Sequence, residues 1–319
     1  MNDIREFQER LSEHTKTAEE IVLRYLVSVT GSADAIPDRK DVLMHLSVAE
    51  AMNYSLESGG KRLRPMLMQL TFELFHGTNV QILHPFMAAI EMIHTYSLVH
   101  DDLPAMDNDL LRRGNKTTHA AYGEATAILA GDGLLNLAFE TALLASEHCA
   151  DAGELMRIVL ALRILAAKSG IRGMVAGQCI DLASEQGVRP ADAEKTLYFI
   201  HENKTAALIE AAFMCGAILA GAPATSVDRM EEAGSRIGHV FQIRDDILDV
   251  TGNTATLGKT AGKDENSGKL TYVSLRGLDQ AKEDMEDETE KAVQTLKEAG
   301  AREEDFIVRL IRYLTYRDH

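Results

Sequence analysis

The stretch "HTYSLVHDDLPAMDNDLLRRG", residues 94–114, decides how the rest of the chain is read. An apolar helical run ends inside it. Asp101, Asp102, Asp107 and Asp109 then fall within nine positions, and Arg112 and Arg113 follow directly. Carboxylates this crowded repel one another unless something positive sits among them. Asp101 and Asp107 are six apart, which on a straight helix would put them on different faces. Pro104 disfavours helical geometry in the residue before it, so the helix is expected to end near Asp102 and the chain to bring Asp107 back beside Asp101. An EF-hand reading fails. Counted from Asp107, its fifth and sixth positions are Leu111 and Arg112, where an acidic or amide residue and glycine are required.

Around this stretch the texture is helical. Apolar residues recur at three and four, as in Ile4, Phe7, Leu11 and in Ile21, Val22, Tyr25, Leu26. Helices are expected around 3–29, 39–57, 65–76, 79–102, 118–147, 153–180, 190–220, 226–250, 270–299 and 302–315, and no run of alternating strand residues stands out. Loops are expected at 31–38, 103–117, 221–225 and 251–269; the last is polar and glycine-bearing, a candidate lid. No Pro/Gly/Ser-rich linker divides the 319 residues, so one domain over 1–319 is expected.

Hydrophobic residues make up 45% of the chain, enough for a large core, and 33 basic against 49 acidic side chains leave a net charge of −16. That balance argues against nucleic acid and against an anionic membrane surface as partners. The most apolar run, 206–222, contains Glu210 and is shorter than a typical span, so no membrane insertion is expected. Cys149, Cys179 and Cys215 are far apart and odd in number, which fits neither a zinc site nor a disulfide framework. Reduced thiols and a charged, amphipathic start unlike a secretory signal point to a cytoplasmic protein.

A second acidic group lies at "FQIRDDILDV", 241–250. At about 100° per residue, Asp245 and Asp249 share a helix face, and Gln242 joins their stripe, with Asp246 beside it. Positive side chains come from "GGKRLRP", 59–65, and from Arg112 and Arg113. Neither "GGKRLRP" nor "LGKT", 257–260, fits a Walker loop. Guanidinium forks match phosphate oxygens two at a time. Mg²⁺ takes a few carboxylates, keeps waters and fills its shell with substrate phosphate oxygens. Two carboxylate groups with scattered arginines and lysines therefore suit a metal-bound diphosphate.

In combination, "GGKRLRP", "EMIHTYSLVHDDLPAMDND", "RRG", "GMVAGQCIDL", "NKTAALI", "FQIRDDILD" and "GKT…GK", in this order, make the sequence resemble the trans-isoprenyl diphosphate synthases, and among them the bacterial farnesyl diphosphate synthases (geranyltranstransferases). The resemblance implies an all-α, single-domain isoprenoid synthase fold, with helices around a deep central cavity, in a homodimer. It implies that the two aspartate groups face each other across the cavity mouth. Asp101 and Asp107, with Asp102 in support, and Asp245, with Asp246 and Asp249 in its motif, would hold Mg²⁺, three ions per site. Arg112, Lys204 and Lys259 would grip an allylic diphosphate, dimethylallyl or geranyl. Lys61, Arg64, His94 and Arg113 would bind isopentenyl diphosphate. Thr205 and Gln242 would face developing positive charge, and Gln178 and Asp181 would line the cavity. Lys269 would close with the lid. Asn108 stands where many relatives carry another aspartate.

The implied reaction needs no protein nucleophile. Cations stabilise the departing diphosphate, the isopentenyl double bond attacks the allylic cation, and a proton is lost. Ser97 lies one turn before Asp101. Tyr96 lies five residues before it, a rise of roughly 7.5 Å. An aromatic ring at that depth implies a short product, farnesyl diphosphate. The alternatives are geranylgeranyl or longer-chain synthesis on the same scaffold, a class I terpene cyclase, and an acidic calcium buffer. A cyclase needs no second diphosphate site, and a buffer leaves the basic residues unexplained.

Overall fold

The computed structural model describes residues 2–27, 42–185, 192–251 and 270–316. These residues divide into two compact units, Met1–Met66 with Val80–Cys149, and Leu67–Asn79 with Ala150–His319.

The first unit holds α1 (Asn2–Leu23), α2 (Val42–Glu57), the first turn of α3 (Leu63–Leu74), α4 (Val80–Asp101), α5 (Thr118–Tyr122) and α6 (Glu124–Leu143), then a 3₁₀ turn, Leu144–His148. Its centre is α4, on which Phe86, Met87, Ile90, Met92 and Ile93 are fully buried. A helix apolar on all sides has to be enclosed, and α1, α2 and α6 pack against it. Each large side chain so buried contributes about 1.5–3 kcal/mol. Between α4 and α5 the chain forms a small antiparallel hairpin, β1 (Leu111–Arg112) and β2 (Asn115–Lys116). Its two central residues, Arg113 and Gly114, have φ of 53° and 81°, the backbone a two-residue hairpin turn requires. The sequence reading held this hairpin as loop. It also ran 118–147 together, whereas Gly123, at φ 87°, divides α5 from α6.

The second unit holds the rest of α3, α7 (Ala152–Ser169), α8 (Met174–Glu185), α9 (Ala193–Ile200), a π turn at His201–Ala206, α10 (Ala207–Ala220), α11 (Ala224–Thr251), α12 (Tyr272–Arg276), α13 (Leu278–Glu298) and α14 (Phe306–Tyr316). The single helix expected over 153–180 breaks between Ser169 and Met174, and that over 270–299 breaks at Gly277, at φ 79°. The π turn lies on "HENKTA" and packs tightly. Gly177 of α8 lies against the backbone of Lys204, and Gly238 of α11 against Ala206, with no room for a Cβ at either glycine.

The π turn's first residue, His201, meets His239 edge-on at 5.2 Å between ring centres, and His239 meets Tyr198 at 4.1 Å. His239 is 7% exposed, and burial pushes its pKa down to about 4, with Glu288 opposing. The unfolded chain, with a histidine pKa of about 6.5, then binds more protons than the folded one between pH ~6.5 and ~4. Stability from this group is full above pH ~6.5 and falls as the pH drops, by up to about 3 kcal/mol. Thermal melts should show the His239→Leu variant losing less stability than the parent between pH ~7 and ~5; parallel losses would contradict the assignment.

Candidate active site

At the end of α4 the chain does what the spacing requires. Leu103 N–H donates to His100 O (3.1 Å) and Met106 N–H to Leu103 O (2.8 Å), so the helix tightens into turns around Pro104. Asp107 N–H then donates to Asp101 O at 2.8 Å, which brings the two aspartates together. Asn108 has φ 52°, a left-handed conformation that asparagine adopts more readily than most side chains. Asp102 behaves differently. It is 3% exposed, and both its oxygens accept from Arg112, Nε at 2.9 Å to each and Nη2 at 2.7 Å to Oδ1. Burial pushes its pKa up against the pull of that fork. The sequence reading placed Asp102 in support of the metal ligands. Its carboxylate fastens the hairpin to the end of α4, a contact the sequence did not signal because an i to i+10 pairing across a turn has no periodicity.

Beside this turn lies a basic pocket lined by Ser58, Gly59, Glu91, His94, Arg112 and Arg113. Gly60, at φ 140°, lies against the Arg113 guanidinium with no room for a side chain, and Arg113 Nη1 donates to Gly59 O. The His94 pKa is held well below its ordinary value by burial and then by Arg64, Arg113, Arg112 and Arg62. The ring is neutral, able to donate one hydrogen bond. Arg64 Nε is buried and has no hydrogen-bond partner among the described residues. Lys61 is exposed on the same loop. The sequence reading missed the frame behind them. Arg62, 2% exposed and at φ 46°, donates to Glu91 Oε1 (2.9 Å), Leu56 O (2.5 Å) and Glu19 Oε1 (3.4 Å). Glu91 in an otherwise apolar run, three residues before His94, was the available signal.

Tyr96, 7% exposed, meets His100 edge-on at 5.8 Å. Its hydroxyl pKa is pushed up to about 12 by burial and the Asp101 charge. Ser97 Oγ donates to His94 O at 2.8 Å.

In the second unit, α11 carries Gln242, Asp245 and Asp249 at the expected spacing, with Asp245 exposed. Asp246 Oδ2 accepts from Tyr272 N–H at 2.6 Å. Lys204 and Thr205 lie on the π turn, where Lys204 pairs with buried Asp181 of α8. Gln178, one turn before Asp181, has its buried Nε2 without a partner among the described residues. Lys259, Lys269 and nearly all of the expected 251–269 loop lie outside the described residues.

Among the described residues no three His, Cys, Asp or Glu side chains form a ready cation cage. The donor set nevertheless fits Mg²⁺. All the candidates are carboxylates, and this ion is held by one or two of them with water and substrate phosphate completing its shell. Asp101 and Asp107, joined by one turn, can supply such a pair.

Comparison with known proteins takes the same direction. Residues 45–310 match the polyprenyl synthetase family. The chain belongs to that family. A chloroplastic geranylgeranyl pyrophosphate synthase of Catharanthus roseus is 43% identical over 296 residues, 92% of this chain and 81% of that one. An apo crystal structure of an FPP/GFPP synthase from Zymomonas mobilis superposes with a TM-score of 0.80 at 32% identity, covering 97% of this chain and 99% of that chain. A geranyltransferase from Helicobacter pylori, solved with magnesium and isoprenyl diphosphate, gives a TM-score of 0.76 at 30% identity and covers 96% of this chain and 95% of that chain.

This polyprenyl synthetase therefore has the all-α isoprenoid synthase fold and is a trans-prenyltransferase acting on prenyl diphosphates with Mg²⁺. The farnesyl product expected from the sequence goes further than these relatives allow, since several curated ones are named for geranylgeranyl, a longer product. The cytoplasmic expectation is overturned by the same names, which call relatives from Catharanthus, Arabidopsis and Capsicum chloroplastic. By length and composition two helices could cross a membrane, Glu124–His148 and Ala193–Ala220; 78% of the apolar window in the second is buried within the protein.

Removing Asp102 strands a largely buried guanidinium. Urea denaturation of Asp102→Ala should show a loss of about 3 kcal/mol. The double variant Asp102→Ala/Arg112→Ala should lose less than the two single variants summed, with a coupling of about 1–3 kcal/mol. Additive losses would contradict the pairing.

Proposed function

We propose that the protein condenses isopentenyl diphosphate with dimethylallyl, geranyl and farnesyl diphosphates in turn to give geranylgeranyl diphosphate. The reading rests on one observation, the pocket in which His94 lies with Arg112 and Arg113 beside the Asp101–Asp107 turn. Such a pocket suits a diphosphate bound by guanidiniums, next to carboxylates suited to Mg²⁺.

In this reading Lys61, Arg64, His94 and Arg113 hold isopentenyl diphosphate. Asp101, Asp107 and Asp245 hold Mg²⁺, with three ions as the working number. Bound Mg²⁺ supplies Lewis-acid stabilisation of the negative charge on the leaving diphosphate. Arg112, Lys204 and Lys259 add fixed positive charge for that group. The allylic C–O bond breaks, the isopentenyl double bond forms the new C–C bond, and a proton leaves with the departed diphosphate as its acceptor. Thr205 and Gln242 offer oxygens to the cation, Gln178 and Asp181 line the cavity, and Asp181 orients Lys204. The walls must exclude water, which would trap the cation. Residues 1–319 are read as one catalytic domain working in a homodimer. The exposed apolar Ile128, Leu129 and Leu143 of α6, with Leu144 of the 3₁₀ turn after it, support a second copy covering this face.

The C20 product is supported by the relatives' names. A second reading, farnesyl diphosphate, is favoured by one observation: Tyr96 is buried on α4 close enough to Asp101 to feel its charge, where an aromatic ring would stop a growing chain.

Labelled isopentenyl diphosphate with each allylic diphosphate, with and without Mg²⁺, followed by phosphatase and sizing of the alcohols, decides both questions. Mg²⁺-dependent C20 alcohol is expected. C15 as the end product would favour the Tyr96 reading, and the absence of any condensation would overturn the function. If Tyr96 is the stop, Tyr96→Ala must lengthen the product.

A further inference from the structure

Asp246 is the second carboxylate of the α11 motif, half-buried where Asp245 is exposed. At about 100° per residue it lies about 40° from Gln242, 60° from Asp249 and 100° from Asp245, at the edge of their stripe. Its Oδ2 accepts from the backbone N–H of Tyr272, the first residue of α12, at 2.6 Å. Two neighbouring donors at that helix end are provided for locally. Thr271 Oγ1 accepts from Ser274 N–H and Ser274 Oγ accepts from Thr271 N–H, both at 3.1 Å, which leaves the Tyr272 amide to Asp246.

Tyr272 is a junction. It is 8% exposed and packs with Leu197 of α9, Val240, Ile243 and Ile247 of α11, and Ala281 and Met285 of α13. Its hydroxyl donates to Asp284 Oδ2 of α13 at 2.8 Å. Its ring stacks on His201 with centres 6.3 Å apart and planes 25° from parallel. His201 opens the π turn on which Lys204 and Thr205 lie. One continuous path of contacts thus runs from Asp246 through Tyr272 and His201 to the segment bearing Lys204.

We propose that Asp246 is a positioning residue and not a cation ligand: by fixing α12 through Tyr272 it sets the π turn that presents Lys204 and Thr205. The proposal rests on the function given above, in which Lys204 serves the leaving diphosphate and Asp245 serves Mg²⁺.

The test compares Asp246→Ala, Asp246→Asn and Asp245→Asn in the full-length enzyme. It uses kcat, the half-saturating Mg²⁺ concentration, calorimetry of Mg²⁺ with inorganic pyrophosphate, and hydrogen exchange over 272–276. Asp246→Ala should speed exchange of the Tyr272 amide about tenfold, the loss of one charge-assisted hydrogen bond. It should lower kcat about tenfold through misplacement of Lys204, with half-saturating Mg²⁺ unmoved. Asparagine keeps an acceptor oxygen, so Asp246→Asn should recover most of the exchange protection and of kcat. Asp245→Asn should raise half-saturating Mg²⁺ about tenfold and leave exchange alone. The proposal is overturned if Asp246→Asn shifts the Mg²⁺ requirement or the Mg²⁺–pyrophosphate affinity as Asp245→Asn does. Unchanged exchange at Tyr272 in Asp246→Ala would overturn it as well. Should the parent enzyme condense no prenyl diphosphates, the functional reading falls, while calorimetry and exchange still judge Asp246.

Discussion

Charge compensation around His94 is the constraint on which the rest of the first unit depends. Arg62, Arg64, Arg112 and Arg113 all act on this one imidazole. Two like charges 4 Å apart cost about 4 kcal/mol at the effective dielectric of a protein surface. The cluster persists because its guanidiniums are divided among separate acceptors. Arg62 goes to Glu91 and a carbonyl, Arg112 to Asp102, and Arg113 to the carbonyl of Gly59. What remains is positive potential with an open donor on Arg64 and a neutral ring, which suits a diphosphate better than another protein carboxylate. The Asp102–Arg112 fork also ties this basic pocket to the Asp101–Asp107 turn, so the carboxylates proposed for Mg²⁺ and the anion pocket share one scaffold.

The second unit solves a different problem, how to aim a long flexible cation. Lys204 lies on a π turn whose widened backbone is held on two sides by close contacts, Gly177 of α8 against Lys204 and Gly238 of α11 against Ala206. Asp181 orients its ammonium. π turns are rare, short and often found at functional sites. Here the widened turn interrupts what would otherwise be one long helix from Ala193 to Ala220.

Much of this was legible in the sequence where local chemistry dictates geometry. Pro104 and the six-residue spacing foretold the return of Asp107 to Asp101, and helical spacing foretold the stripe of Gln242, Asp245 and Asp249. The distant partners were not legible. Periodicity says which face a residue occupies, not what lies opposite, so the contacts of Asp102 with Arg112 and of Asp246 with the Tyr272 amide could not be foreseen. The hairpin at 111–116 was hidden because its turn residues, Arg113 and Gly114, are not the usual asparagine–glycine pair. The π turn was hidden because α10, which follows it, is buried on every side from Ala207 to Leu219, so the shift in helical phase leaves no mark on the apolar pattern.

The central claim is that the pocket between Gly59, His94 and Arg113 binds a diphosphate by its own guanidiniums, without a metal. Calorimetric titration of isopentenyl diphosphate in the presence of EDTA tests it most directly. The account predicts metal-free binding that weakens as salt is added and falls about tenfold in Arg113→Leu. Binding that appears only when Mg²⁺ is supplied, or that is indifferent to Arg113, would contradict it.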